Sequence, residues 1–436
     1  MKQLITYINN KVLVKITSLH MVAIITRIIA GILTSKAIAV MVGPFGLALI
    51  GNLRNFVAAF QSLATLGLYK GIVKYVAAFK ENSKALTKTL STVYYVGFIT
   101  TIIVSCFCYF GSEWVNDIIF PSYNEFGYVI KIFAIALPFY ALNMFSFSIM
   151  NGFSKYKILI ILNIIGQILS VSIVLILIYQ EKLKGALISV AIAESIIFLI
   201  TLVAIINRQS MLPKIQVKEV DFKFFRKFCF YSVIALFTAV LLPLVTIGIR
   251  SYIIENIGYK EAGFWEAITR LSKYYLMFIS SLISLYLLPR FKDIKTVKAF
   301  RLEVWSFYKT IVPVLIAGML LIYLLKKYIV LGVFTKEFQP IEDLFLWQLL
   351  GDFIKVLSIV IAYQFLAKKM FWHYILTEAF LIVNIYITSV YFINTLGSVK
   401  GAVVAHFVSY VMYYTIILLI FSTSFFGAEQ DYKENL

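Results

Sequence analysis

The sequence predicts an all-α integral membrane protein of twelve transmembrane helices in two six-helix lobes, and three observations carry that prediction. First, 61% of the 436 residues are apolar, only 14% are charged, and the mean hydropathy is +0.91. Such a chain lacks the polar surface to coat a soluble globule. Second, apolar runs long enough to cross a hydrocarbon core of ~30 Å, about 20 residues each, recur along its length. Third, the longest polar interruption, "NRQSMLPKIQVKEVDFKFFRK" at 207–227, falls after the sixth run and divides the chain in two.

The spans fall near 14–40, 45–78, 88–110, 127–150, 157–179 and 185–206 in the first half. Those of the second lie near 228–253, 262–288, 304–325, 343–367, 373–394 and 400–423. The clearest are "ILIILNIIGQILSVSIVLILIY" and "ALISVAIAESIIFLITLVAII". The first run is too long for a signal peptide and has no small-residue cleavage site, so it is read as a retained helix. The predicted organisation is an N-terminal lobe at 1–206, a cytoplasmic linker at 207–227, and a C-terminal lobe with a short tail at 228–436. Two six-helix halves with the same orientation make parallel repeats about an axis along the membrane normal, a pseudo-two-fold arrangement.

With the N-terminus inside, the cytoplasmic segments hold about three times as many Lys and Arg as the outer loops, which fixes both termini in the cytoplasm by the positive-inside rule. The net charge of +19 therefore reads as topology and contact with anionic lipids, and not as a nucleic-acid surface. Cys106, Cys108 and Cys229 fall within or beside spans at a spacing unlike that of a zinc site.

Several charges lie inside the apolar runs, where each is costly. Arg54 sits about ten residues into helix two, in "GPFGLALIGNLRNFVAAFQSL", too deep to snorkel easily to the headgroups. Glu266, Arg270 and Lys273 follow one another at i, i+4 and i+7 and share a stripe of net positive charge. Lys36 and Arg250 stand towards the outer ends of helices one and seven. Arg27 and Lys36 are nine residues apart and so on nearly opposite faces of their helix. Asp352 and Lys355 are i, i+3 neighbours, and Glu194 and Glu378 are isolated acids in other spans. The spans hold more basic than acidic residues, so the bases cannot all be neutralised within them. Arg54, Arg270, Lys273, Lys36 and Arg250 are therefore candidate ligands for an anion in a cationic cavity between the halves. Asp352, Lys355, Glu378, Glu194 and Glu266 are candidates for ion coupling or for charge pairing.

Enzyme signatures are missing from the sequence: there is no Walker A motif, no His-Glu-x-x-His, no Gly-x-Ser-x-Gly, and no extramembrane segment large enough for a catalytic domain. His20, His373 and His406 are isolated in the sequence and suggest neither a metal site nor a cofactor. Any energy input would then come from ion or electrical gradients.

Three segments carry a family resemblance: "GPFGLALIGNLRNF…YKGIVKYVA" (43–77), "GFWEAITRLSKYYLMF…LYLLPRF" (263–291) and "LFLWQLLGDFIKVLSIVIAYQFLAKKMFWHYILTE" (344–378). They resemble the Wzx-type O-antigen translocases, and above all their lipid III flippase branch, in the multidrug/oligosaccharidyl-lipid/polysaccharide exporter superfamily. The resemblance implies a V-shaped bacterial inner-membrane transporter that moves undecaprenyl-diphosphate-linked oligosaccharide to the periplasmic leaflet. It also implies a polysaccharide polymerase and a chain-length regulator as partners. Lys36, Arg54, Lys74 and Arg250 stand where the family commonly has basic residues, and Asp352 and Lys355 fall in its Trp-Gln-Leu-x-Gly-Asp segment. One departure is the pair Glu266 and Lys273, where the family often shows Gln and then an acid. The main competing expectation is a cation-coupled multidrug exporter of the same superfamily, which would call for an acidic cavity. A membrane glycan polymerase or ligase would need a larger outer loop than residues 326–342; a scaffold for polysaccharide assembly is compatible with transport.

Overall fold

Backbone polar groups have no water to bond in hydrocarbon, so each apolar run must satisfy them internally as a helix. The computed structural model describes residues 2–206, 215–294 and 296–422, and among these no β-sheet forms. The linker residues 207–214, the C-terminal tail, and the side chains of His20 and Cys229 lie outside that description.

The helices are α1 (Lys2–Met41), α2 (Gly43–Ala64), α3 (Tyr69–Phe79), α4 (Ser83–Phe110), α5 (Ser112–Ile119), α6 (Gly127–Gly152) and α7 (Tyr156–Ile206) in the first part of the chain. They continue as α8 (Phe222–Asn256), α9 (Tyr259–Asp293), α10 (Val297–Leu324), α11 (Lys326–Val333), α12 (Phe345–Ala367), α13 (Phe371–Leu396) and α14 (Lys400–Ile420). Ten helical stretches among the described residues are long and apolar enough to cross a bilayer. One of these is the 51-residue α7, long enough for two crossings at 1.5 Å per residue. It breaks at Lys182, whose φ of 47° and ψ of −116° leave the helical region. Gly185 makes the reversal possible, because a Cβ there would overlap the Leu177 carbonyl oxygen. Counting α7 twice and adding the 35-residue, more polar α9 gives the twelve spans of the expected fold class. The second span is divided: α2 ends where Leu66 and Gly67 take left-handed conformations, and α3 continues it.

The chain clusters into two compact units, Met1–Val42 with Leu49–Leu244, and Gly43–Ala48 with Val245–Leu436. In the first unit α1 and α6 pack on α7, while α3 and α4 pack on α6. Leu68, Ile72, Val76, Leu90, Val93, Phe145 and Ile149 fill the space between α3, α4 and α6. The linker is tied to α4 by two backbone bonds, Gln216 N–H to Ser91 Oγ at 2.8 Å and Asp221 N–H to Thr92 Oγ1 at 2.9 Å. A Lys88–Asp221 ion pair of 2.7 Å joins them.

In the second unit α14 packs on α12 and α13, and α9 packs on α12. Gly351 lets α12 and α14 touch, since a Cβ there would overlap the His406 ring and lie 3.1 Å from the Phe407 backbone nitrogen. The α10 surface is the opposite case: Leu302, Trp305, Val314, Ile316, Leu320 and Leu324 are all exposed, as befits a face turned to lipid.

Candidate functional site

The first unit gathers Arg27 from α1, Arg54 from α2 and Glu194 from α7. The charges of both arginines act on the Glu194 carboxylate. Arg54 is half-buried, whereas Arg27 and Glu194 are exposed. Sequence spacing gave no sign of this trio, because Glu194 is far along the chain from both arginines. Lys36 is half-buried on α1, and Lys74 is exposed on α3.

The second unit holds a trio of the same composition, but closed. Glu266 bridges two guanidinium groups: its Oε2 accepts from Arg250 Nη2 at 2.5 Å, and its Oε1 from Arg270 Nε at 2.7 Å. All three side chains are 3% exposed or less. The Arg250 guanidinium also lies 5.2 Å from the centroid of the Trp265 ring, a cation–π contact. The i, i+4 spacing of Glu266 and Arg270 on α9 sets half of this geometry, and Arg250 on α8 completes it. The trio has net charge +1. Arg270 Nη1 and Nη2 are buried and have no hydrogen-bond partner among the described residues. Lys273, expected on the same stripe, is exposed instead. Its charge is still felt at Glu266.

A second polar network crosses α9, α12, α13 and α14. Asp352, fully buried, accepts from Ser272 Oγ (2.6 Å), Tyr275 OH (2.5 Å) and Gln348 Nε2 (3.2 Å) on one oxygen. Its other oxygen meets His406 Nε2 at 3.0 Å. Four donors thus converge on this one buried carboxylate. Lys355 instead turns toward Tyr410, with Nζ 5.3 Å from the ring centroid. It also feels the charge of Glu378, which accepts from Tyr413 OH at 2.8 Å. So Asp352 and Lys355, neighbours in sequence, feel each other's charge but take different side-chain partners, and His406, isolated in sequence, stands beside Asp352. Among the described residues no three His, Cys, Asp or Glu side chains come together as a metal site would require.

Ionisable groups carried inside transmembrane helices, facing helix partners, mark a candidate functional site of a membrane protein. The fold agrees. The chain is similar to a lipid II flippase MurJ structure in an inward closed conformation, with a TM-score of 0.73, 16% identity, and coverage of 94% of this chain and 88% of that one. It is also similar to an inward-facing multidrug resistance MATE family transporter of the MOP superfamily, with a TM-score of 0.70, 12% identity, and coverage of 92% and 98%. Residues 12–295 match the family described as "Polysaccharide biosynthesis protein", and the chain belongs to that family. Curated relatives include the lipid III flippases of Escherichia coli (strain K12) and Shigella flexneri. Each is 26% identical over 400 residues, covering 91% of this chain and 95% of the relative. These relatives agree with the likeness read from the three charged segments.

Proposed function

We propose that the protein is a flippase for undecaprenyl-diphosphate-linked oligosaccharide, working in the bacterial inner membrane with both termini in the cytoplasm. The observation that carries this reading is the buried Arg250–Glu266–Arg270 trio, with net positive charge and two Arg270 nitrogens that have no partner among the described residues. A guanidinium edge is a planar fork matched to phosphate oxygens. The names of the curated relatives and of the MurJ neighbour support a lipid-linked saccharide as the cargo.

Diphosphate and sugars cannot enter hydrocarbon bare, so the protein supplies a cationic cavity while the prenyl chain stays in lipid. Arg54, Arg270, Lys273, Lys36 and Arg250 serve the anion in this reading. Arg250 and Arg270 are closed off in the conformation described here, so they act only after the second lobe opens, as alternating access requires. An inside-negative potential favours outward movement of an anion by about 2.3 kcal/mol per charge per 100 mV. Resetting the empty protein falls to the acids: Glu194, with two arginines near it, and Asp352 with His406, are placed to exchange a proton, and Lys355, Glu378 and Glu266 to balance it. Anionic lipids, a polymerase and a chain-length regulator are the partners this role calls for. An acidic cavity, which multidrug cation export would need, is not what these clusters provide.

The test is flipping of a fluorescent undecaprenyl-diphosphate oligosaccharide in proteoliposomes. Wild type is expected to flip it, and Arg54→Ala and Arg270→Ala at matched insertion are expected to fail. Normal flipping by both variants overturns the site, and extrusion of organic cations instead of flipping overturns the function.

A further inference from the structure

A cavity of about 380 Å³ opens in the second unit, away from both charged networks. It is built where the start of α9, the α10–α11 junction, the turn at 336–344, the start of α12 and the α13–α14 turn come together. Every one of these lies at the end of the bundle that the charge distribution puts outside. Its volume is within the range of small-ligand sites.

The lining is polar and of mixed sign. Glu261, Glu342 and Asp343 contribute carboxylates, Lys326 and Lys400 ammoniums, and Trp347 an aromatic face. Several of these are fixed in place. Lys326 Nζ donates to the Glu342 backbone oxygen at 3.2 Å and lies 4.7 Å from the centroid of the Tyr323 ring, itself part of the lining. Trp347 rests on Phe407, with ring centroids 5.6 Å apart. Glu342 Oε1 is shut away from water and has no hydrogen-bond partner among the described residues.

The chemistry of the lining selects among ligands. A metal ion does not fit, since no three acidic, His or Cys side chains converge here among the described residues. A diphosphate would face more carboxylates than ammoniums. Sugar hydroxyls match both kinds of group: they donate to carboxylates, which are pure acceptors, and accept from ammoniums, which are pure donors. Glu261, just outside the membrane span of α9, has its carboxyl pushed up by burial against the opposing pull of Lys260. The carbon-bound hydrogens of a pyranose ring can cover an indole face.

We propose that this outer cavity binds a short, uncharged saccharide, with Glu342 and Asp343 accepting hydrogen bonds from its hydroxyls and Trp347 covering one ring face. The source of the saccharide, the glycan arriving on the outer side, rests on the flippase reading; the binding itself does not.

The full chain, purified in detergent, is titrated with phosphate-free oligosaccharide freed by mild acid from the host's lipid-linked pool, and with a panel of hexoses and N-acetylhexosamines, followed by saturation-transfer NMR. At least one neutral saccharide is expected to bind. Glu342→Leu and the exposed-site variant Asp343→Asn are each expected to weaken binding at least tenfold while eluting as folded protein. Inorganic pyrophosphate is expected not to compete. Absence of binding by every saccharide, unchanged affinity in Asp343→Asn and in folded Glu342→Leu, or competition by pyrophosphate overturns the proposal. Protein that flips lipid-linked substrate but binds no free saccharide refutes the outer site alone. Protein that binds saccharide in this way but does not flip refutes the transport reading alone.

Discussion

Replacing Glu266 by Gln is the sharpest perturbation of the second unit. The wild-type carboxylate holds two guanidinium groups at 2.5 and 2.7 Å, in a place where none of the three side chains exceeds 3% exposure. Glutamine is nearly isosteric but neutral, so the trio goes from net +1 to net +2 and one guanidinium meets an amide N–H in place of an oxygen. Removing one partner from a buried ion pair costs about 3–5 kcal/mol, because the charge left behind is desolvated and uncompensated. Here two charges are left behind, which puts the expected loss at the upper part of that range. Arg270→Met should cost less. It leaves a neutral Arg250–Glu266 pair and removes the two buried Nη groups that have no partner among the described residues, but it strips Glu266 Oε1 of its donor, so the expected loss is about 1–3 kcal/mol. Unfolding free energies measured by SDS titration of mixed micelles, followed by tryptophan fluorescence, give both numbers. A loss under about 1 kcal/mol in Glu266→Gln, or a larger loss in Arg270→Met than in Glu266→Gln, would refute the argument.

Glu261→Gln tests the burial of that carboxyl. A folded carboxyl pushed above its unfolded value of about 4.3 favours the fold fully below that pH and loses the advantage as pH rises through the folded value. The variant should therefore melt higher than wild type at pH 7 to 8, with the gap closing below about pH 4. Gly351→Val places atoms against the His406 ring and the Phe407 backbone, which cannot withdraw, and should lower stability by about 1–3 kcal/mol in the same SDS titration. Asp352→Ala strands four donors, from Ser272, Tyr275, Gln348 and His406, and should destabilise by more than about 3 kcal/mol. Asp352→Ala combined with His406→Phe should recover part of that loss, and failure to recover any would show that the two residues are not coupled.

The helices were legible because hydropathy over about 20 residues is a property of the chain alone. The pairing of Glu266 with Arg270 was legible for a similar reason, since i, i+4 neighbours meet on any helix. What joins Arg250 to that pair is helix packing, which spacing does not encode. The same holds for Glu194 with Arg54, and for His406 with Asp352, 54 residues apart. Asp352 and Lys355 show the converse: sequence neighbours of opposite charge that form no direct ion pair, each meeting a side chain of α14 instead. Lys273 shows how an i, i+7 stripe drifts, because seven residues fall short of two full turns at 3.6 per turn. The outer cavity could not be read at all, since its lining comes from five helix ends and turns that only the tertiary fold brings together.

Two arginines are paired with one glutamate in the second unit, and in the first two arginines act on one glutamate at longer range, a composition with a consequence. Two guanidinium groups alone in a low dielectric repel and are costly to bury, while a one-to-one pair carries no net charge to attract an anion. Two to one keeps the geometry fixed and leaves a single positive charge. The two trios differ in access: Arg27 and Glu194 are exposed and Arg54 half-buried, whereas Arg250 and Arg270 are closed off. Phenylglyoxal, which modifies accessible guanidinium groups, distinguishes them. Brief treatment of the purified protein, read by peptide mass spectrometry, is expected to modify Arg27 first and Arg54 more slowly, and to spare Arg250 and Arg270. Modification of Arg270 at the rate of Arg27 would mean that the second trio is already open in the resting protein. In that case its two unpartnered nitrogens face water and no longer mark a site waiting for an anion.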